Sequence, residues 1–372
     1  MQDRRGVEFH SIEELVETVG WNVRNALLGE VYATPKPGLV DRRDTGSHKD
    51  MSYETFLAST EAITPYLVDM FEAGLRSGAE YEKTAQDNLS SDSLTDEERL
   101  FLGIRNIGIG AEKAMYAATD NVNTHKGMIF TMGILLAAAG MIAGNRLKKQ
   151  HDDRAGNLSD IRSNSEKSVA KLETQYVFFD INEILETGRR MSARILEKDF
   201  IEMEKREPKS HGEKLYHNYG EKGIRGQAME GFPVIKEMGV VSMRKYLSIA
   251  EDEALRSEIC RRATLRKDLL DAEGNMRDEH FENAVNISTL LAIMSELNDT
   301  NVLTRSSYGE MEWLKAESAK IVEIGAAFSE EGLSAIEELN VKCIEKNISP
   351  GGAADILAVT ILLLKLEGIG YV

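Results

Sequence analysis

Between Ser11 and Glu30 the apolar residues Leu15, Val19, Val23, Ala26 and Leu27 recur at the spacing of one helix face. Ser11-Ile-Glu-Glu14 reads as a capping box at its start, and Pro35 halts the pattern. A second helix is predicted from near Asp50 or Ser52, carrying Phe56, Leu57 and Ile63, with Pro65 able to kink it. Thr95-Asp-Glu-Glu98 is another capping box, followed by Phe101, Ile104, Ile107 and Met115. The run from Gly127 to Gly144 carries no charge and approaches the ~20 residues of a membrane span. It lacks aromatic belts and has no second such segment. A helix buried on all sides fits it better, with Gly133, Ala137, Gly140 and Gly144 letting neighbours approach closely. Residues 146–171 turn polar and are expected to form a flexible insertion or lid. Residues 176–205 return to a helical pattern, and residues 209–233 form a second glycine-rich loop. Further helices are expected over 234–250, 255–270, 280–297, 310–328 and 332–346. A last one, capped by Ser349 with Pro350 in its first turn, runs to Leu366. Strand alternation competes nowhere. The expectation is an all-α fold, residues 1–372 forming one globular domain around a buried central helix.

Composition narrows this further. Hydrophobic residues at 42% and charged residues at 29% are ordinary for a soluble globular chain. The net charge of −17 argues against nucleic acid or an anionic membrane as partner, without forbidding a local basic pocket. Cys260 and Cys343 provide neither a disulfide framework nor a thiolate metal site, so a reducing cytoplasm is expected. The first residues, Met-Gln-Asp-Arg-Arg, contain no apolar signal core. Composition leaves the oligomeric state open.

Candidate chemistry concentrates in residues 34–50. Pro35 and Pro37 stiffen the segment, while Gly38 and Gly46 permit sharp turns or close approach to a ligand. Lys36, Arg42, Arg43, His48 and Lys49 interleave there with Asp41, Asp44 and Asp50. Cations suit phosphate oxygens and carboxylates suit Mg²⁺, although a solvated charged turn has the same composition. Near the other end, Ser349-Pro-Gly-Gly-Ala-Ala-Asp355 opens a helix. Its Gly351 and Gly352 amides form a natural anion seat, whereas Asp355 by itself could simply suit the helix dipole.

Four segments, 34–51, 124–127, 211–233 and 349–355, together with Glu30 and Asp299-Thr-Asn301, resemble the triphosphoribosyl-dephospho-CoA synthase family. The similarity runs from about Leu27 to Leu366, carried mainly by Pro-Lys-Pro-Gly-Leu-Val-Asp and Ser-Pro-Gly-Gly-x-Ala-Asp. Departures are the long 146–171 segment, a variable 255–277 segment, and Gln227 where the family pattern has a carboxylate.

The resemblance implies that ATP and 3′-dephospho-CoA give 2′-(5″-triphosphoribosyl)-3′-dephospho-CoA and adenine. That product is a prosthetic-group precursor for citrate lyase or malonate decarboxylase and passes to an acyl-carrier-protein holo-synthase. Mg²⁺ would sit on Asp41 and Asp50, with Glu30 behind them. Lys36, Arg42, Lys49, Lys126 and Arg225 would meet phosphate, with the Gly351 and Gly352 amides. Asp299 or Asp355 would take the hydroxyl proton, and His48 or His125 would protonate the departing base. Two other readings remain: a Mg²⁺-dependent nucleotide or ADP-ribosyl hydrolase, and a non-enzymatic helical partner of a lyase or decarboxylase complex.

Overall fold

A computed structural model describes residues 7–80, 93–159, 175–269 and 278–368. Its first helices begin where capping side chains replace missing backbone partners. Ser11 accepts from the Glu14 amide at 3.2 Å and opens α1 (Ile12–Tyr32). Helix α2 (Tyr53–Glu80) carries Pro65 within it. Thr95 and Glu98 cap each other reciprocally at the start of α3 (Asp96–Ala118). The charge-free run becomes α4 (Lys126–Ser159), whose apolar positions are almost completely enclosed. It is long and apolar enough to cross a membrane, but 89% of its apolar window is buried against other helices. That is the pattern of a bundle core.

Contact between α2 and α4 is backbone to backbone. A Cβ added at Gly74 would lie 2.0 Å from the Ala137 carbonyl oxygen. One at Gly140 would lie 2.0 Å from that of Phe71, and Gly78 and Gly144 are equally crowded. The small residues therefore fix the interhelical distance as well as the apolar character. Helices α1 and α3 flank α2, and α5 (Ile181–Glu204) packs on α3 and α4.

The first part of the expected 146–171 insertion is helical. Helix α4 continues without a break to Ser159, and Arg146 ties it to Glu183 of α5 at 2.5 Å. Residues 160–171 lie outside the described ones. The glycine-rich loop expected over 209–233 also takes a different form. It contains α6 (His211–Tyr219) and α7 (Gly223–Glu230), which Gly220 and Gly231 terminate with left-handed φ of 73° and 83°. A two-stranded antiparallel ribbon, β1 (Val7–Phe9) with β2 (Gln175–Val177), is the sheet among the described residues. Three residues per strand were too few to create alternation.

The remaining helices are α8 (Val241–Ser248), α9 (Glu253–Arg262), α10 (Asp278–Met294), α11 (Thr300–Arg305), α12 (Tyr308–Glu323), α13 (Glu330–Glu345) and α14 (Gly351–Leu366). A π-helical turn, Ile235–Val240, precedes α8. Helix α14 packs against α1, α4 and α10, and its apolar residues join those of α4 in one contiguous core. The architecture is all-α around a buried central helix, as expected, and the apolar residues of α14 are enclosed as well.

Substituting Gly140 by Val should lower stability by about 1–3 kcal/mol or more through overpacking against α2. Gly103→Ala, where an added Cβ meets nothing within 4 Å, should instead stabilise α3 by up to ~1 kcal/mol. Thermal unfolding followed by circular dichroism reads both, and equal effects would refute the close-packing account.

Candidate active site

Residues 34–50 fold back against the C-terminal part of α13 and the start of α14. Asn283 bonds the Thr34 amide at 2.8 Å and the Thr34 carbonyl at 2.7 Å. The Gly38 amide donates to Asn340 at 2.8 Å, and Ser47 donates to the Ile348 carbonyl at 2.6 Å. Gly38 has φ of 71°, and a Cβ there would lie 2.2 Å from the Ile348 oxygen. The close approach of this loop to α13 and the chain that follows it therefore requires glycine.

Within the loop Asp41 is buried. Its carboxylate accepts the amides of Lys36 at 2.9 Å, Arg43 at 2.7 Å and Asp44 at 3.0 Å. In the structure its oxygens serve the turn, and it does not line the cavities described next. Lys36 is buried too, paired with the Glu30 carboxylate and donating to the Glu30 carbonyl at 2.8 Å. It is held by the protein instead of being presented to phosphate. Arg42 lies over Tyr32 and 3.8 Å from Glu279, and Lys49 is exposed; neither lines the cavities described next.

A first cavity of about 460 Å³ lies between this loop and the N-terminal ends of α4 and α14. Glu30, His48, Asp50, Lys126, Gly351 and Asp355 line it, joined by Arg305. A second, of about 700 Å³, lies between α7, α11 and α14 and includes Asp299, Gly352 and Asp355. The two share Gly127, Asn301 and Asp355. Asp355 sits against the start of α4 so tightly that a Cβ on Gly127 would lie 2.2 Å from its Oδ2. Arg225 is elsewhere, on a third cavity of about 410 Å³ that adjoins both.

The electrostatics separate the two acidic candidates. Asp299 is buried and caps two helices with one carboxylate. It accepts the Asn301 amide at 2.8 Å, opening α11, and the Ala353 amide at 3.0 Å, in the first turn of α14. Ser349 does not cap α14 as expected; its hydroxyl meets His48 Nε2 at 2.7 Å. Burial raises the Asp299 carboxyl to about 6, opposed by the amides of Ala353, Asn301, Val302 and Gly352. The anion seat expected of Gly351 and Gly352 is thus partly filled from within the protein. Asp355 is raised well above the ordinary carboxyl range by burial and by the negative charges of Glu30 and Asp299.

The two candidate histidines, His48 and His125, both favour the neutral form. Burial and the nearby Arg305 lower His48 to about 4, with Arg305 Nη1 3.1 Å from its Nε2. Burial, and then the charge of Lys36, lowers His125 to about 3. His125 is fully enclosed, bonded to Ser59 at 2.6 Å and edge-on to Phe56 at 5.0 Å, and does not line either cavity. This enclosure sets it apart from His48, the other candidate acid, which lines the first cavity. Gln227 lines the second cavity but spends its carbonyl oxygen on the Val234 amide at 3.1 Å, helping to turn the chain after α7.

No group of three His, Cys, Asp or Glu side chains arranged to hold a metal occurs among the described residues. One buried oxygen, Glu30 Oε2, has no hydrogen-bond partner among those residues. It belongs to a side chain lining the first cavity, close enough to Asp355 to raise its pKa. One or two hard carboxylates completed by substrate phosphates are what Mg²⁺ ordinarily uses, so Glu30 and Asp50, which line the same cavity, fit it. The sequence reading missed Arg305, Lys222 and Lys315. Arg305 shares the short helix that Asp299 caps, a proximity that only becomes a signal once α11 is known to face the loop.

The family profile for ATP:dephospho-CoA triphosphoribosyl transferase matches residues 16–261 and 264–371. The chain is 29% identical over 352 residues to a probable 2-(5″-triphosphoribosyl)-3′-dephosphocoenzyme-A synthase of Vibrio cholerae serotype O1, covering 95% of this chain and 89% of the relative. Relatives of the same name in Streptococcus equi subsp. equi and Malonomonas rubra are each 30% identical, over 343 and 350 residues. Those alignments cover 92% and 93% of this chain, and 94% and 88% of the relatives. No solved structure matches the chain.

Because the folded carboxyl of Asp355 is raised, folding takes up a proton there, and stability falls as pH rises through its folded pKa. Asp299 contributes in the same direction between its ordinary 3.8 and about 6. Asp355→Asn should therefore raise the melting temperature at pH 8, and the gain should vanish below the pKa of an unfolded carboxyl. Melting curves across pH test this; a gain independent of pH would show that charge burial is not its source.

Proposed function

The chain belongs to the ATP:dephospho-CoA triphosphoribosyl transferase family, and from that membership we propose its reaction: transfer of the triphosphoribosyl group of ATP to the 2′-hydroxyl of 3′-dephospho-CoA, with release of adenine. The observation that carries this reading is the position of Asp355 on the seam between two cavities of different character. The first offers Lys126, Arg305 and the N-terminal ends of two long helices, a setting for a triphosphate. The second is lined by Glu221, Glu230, Glu296 and Asp299 as well as Asp355, a setting for hydroxyl donors more than for phosphate.

In this assignment the triphosphate is a handle. Gripping it holds the ribose C1′ at the seam, so the transfer gains from positioning rather than from activation of phosphorus. Glu30 and Asp50, both on the first cavity, would hold a divalent cation, Mg²⁺ by the hardness of its ligands, which when bound offsets phosphate charge. The acceptor 2′-oxygen forms a bond to C1′ as the bond from C1′ to the adenine nitrogen breaks. The electron pair leaves with adenine, and C1′ carries positive character in between. Asp355 takes the hydroxyl proton, and adenine, leaving from the opposite face of C1′, takes up a proton from solvent, so the reaction balances. The raised proton affinity of Asp355 suits that base role. Asp299, with both oxygens engaged by amides, positions Asp355 instead. His48 is neutral and orients Ser349 and Arg305. Direct displacement inverts the β linkage of ATP to an α product. The product is the prosthetic-group precursor of citrate lyase or malonate decarboxylase, passed to an acyl-carrier-protein holo-synthase.

Adenine should appear only when ATP, Mg²⁺ and dephospho-CoA are all present. Release without dephospho-CoA would assign a hydrolase, and a folded but silent protein would assign a binding role. Arg305→Ala, by removing one charge-assisted contact, should raise the KM for ATP by about 10–100-fold with the helical circular dichroism retained. An unchanged KM would remove Arg305 from the triphosphate site.

A further inference from the structure

The third cavity is not needed for the chemistry at Asp355. It lies between α3, α5, α6 and α7 and is walled by Tyr116, Phe200, Met203 and Ile224. It shares Asn123 and Lys126 with the first cavity, and Glu221, Lys222, Gly223, Ile224 and Thr300 with the second. The three cavities adjoin through these shared residues and differ in chemistry: the first mixes Lys126 and Arg305 with carboxylates, the second is mainly carboxylate-lined, and the third is largely apolar.

Lys222 stands where the second cavity adjoins the third. It is exposed, and its Nζ lies over the Phe200 ring at 5.6 Å from the centroid. Gly220 and Gly223 on either side have φ of 73° and 56°, which turns the backbone sharply at this junction. Its neighbour Glu221 lies near Asn298, whose amide is 3.4 Å away. Arg225 lines the third cavity one turn further along α7.

We infer that the junction and the third cavity form an extended acceptor subsite. Lys222 meets the diphosphate of dephospho-CoA, and the cavity beyond it takes the pantetheine arm. This rests on the transferase reading. The order of moieties in the acceptor matches the order of surfaces. The nucleoside carries the reacting 2′-hydroxyl and belongs beside Asp355 in the second cavity. The diphosphate follows and falls at Lys222, and the neutral, amide-bearing arm continues between Tyr116, Phe200 and Met203. The carboxylates around the nucleoside also give a reason for the acceptor to lack a 3′-phosphate: a dianion beside the 2′-hydroxyl would face Glu230, Glu296 and Asp299.

Calorimetric titration of the whole protein with dephospho-CoA, with 4′-phosphopantetheine and with MgATP separates the parts. Two variants are informative. Lys222→Met removes the cation at the junction. Gly212→Trp fills the third cavity from a position where an added Cβ meets nothing within 4 Å. Phosphopantetheine should bind the wild type and compete with dephospho-CoA but not with MgATP. Both variants should weaken dephospho-CoA and phosphopantetheine by about tenfold or more while leaving MgATP unchanged. Wild-type affinity for dephospho-CoA in both variants, with adenine release intact, would overturn the subsite and leave the transferase standing. Variant-sensitive binding without any adenine release would uphold the subsite and overturn the transferase. Loss of MgATP affinity in both variants would move the cavity to the donor and overturn the assignment.

Discussion

One buried carboxylate governs how the site is assembled. Asp299 is enclosed by the fold, and an enclosed carboxylate must be hydrogen-bonded to persist. Its partners are amides at the start of two different helices, α11 and α14, so satisfying it fixes those helix ends relative to each other. A Cβ on Gly352 would lie 3.0 Å from both of its oxygens, so the glycine is what lets the carboxylate reach the helix. With α14 held there, Asp355 is carried to the boundary of two cavities one turn later.

The same region concentrates charge where charge is expensive. Glu30 and Lys36 are buried together, Asp41 is buried among amides, and Asp355 is crowded by two other carboxylates. Desolvation penalties of this kind seldom improve stability over apolar packing. A site tuned to move a proton and to attract a cation has use for them. Carboxylates pushed toward the proton-bound state bind protons more readily than ordinary ones and become full acceptors once a cation and phosphates arrive. Stability is given up locally, while the frame absorbs the cost. The interlocked glycines of α2 and α4 allow two long helices to meet through their backbones, and α14 adds a second enclosed apolar rod. The loops and short helices hung from these rods can then carry strained turns and unpaired oxygens.

The helical class was legible in the chain alone, because helix-period apolar spacing, the Ser11 cap and the Thr95 capping box are local properties that folding only has to respect. The chain also determined which segments would matter. Proline-stiffened residues 34–50, the start of α4 and the Pro-Gly-Gly entrance of α14 do meet at one cavity. It marked the close helix contact through small residues, without saying that α2 supplies the matching glycines. Tertiary structure decided everything that depends on direction and environment. Asp41 and Asp50 look equivalent in the chain, yet one faces amides inside a turn and the other lines a cavity. His125 carries the same imidazole as His48, but enclosure beside Phe56 and Ser59 removes it from the cavities. Arg305 gives no local signal at all, since its relation to His48 spans most of the chain. Spacing encodes which face of a helix is apolar. The partner of a buried polar group is encoded only in how those faces come together.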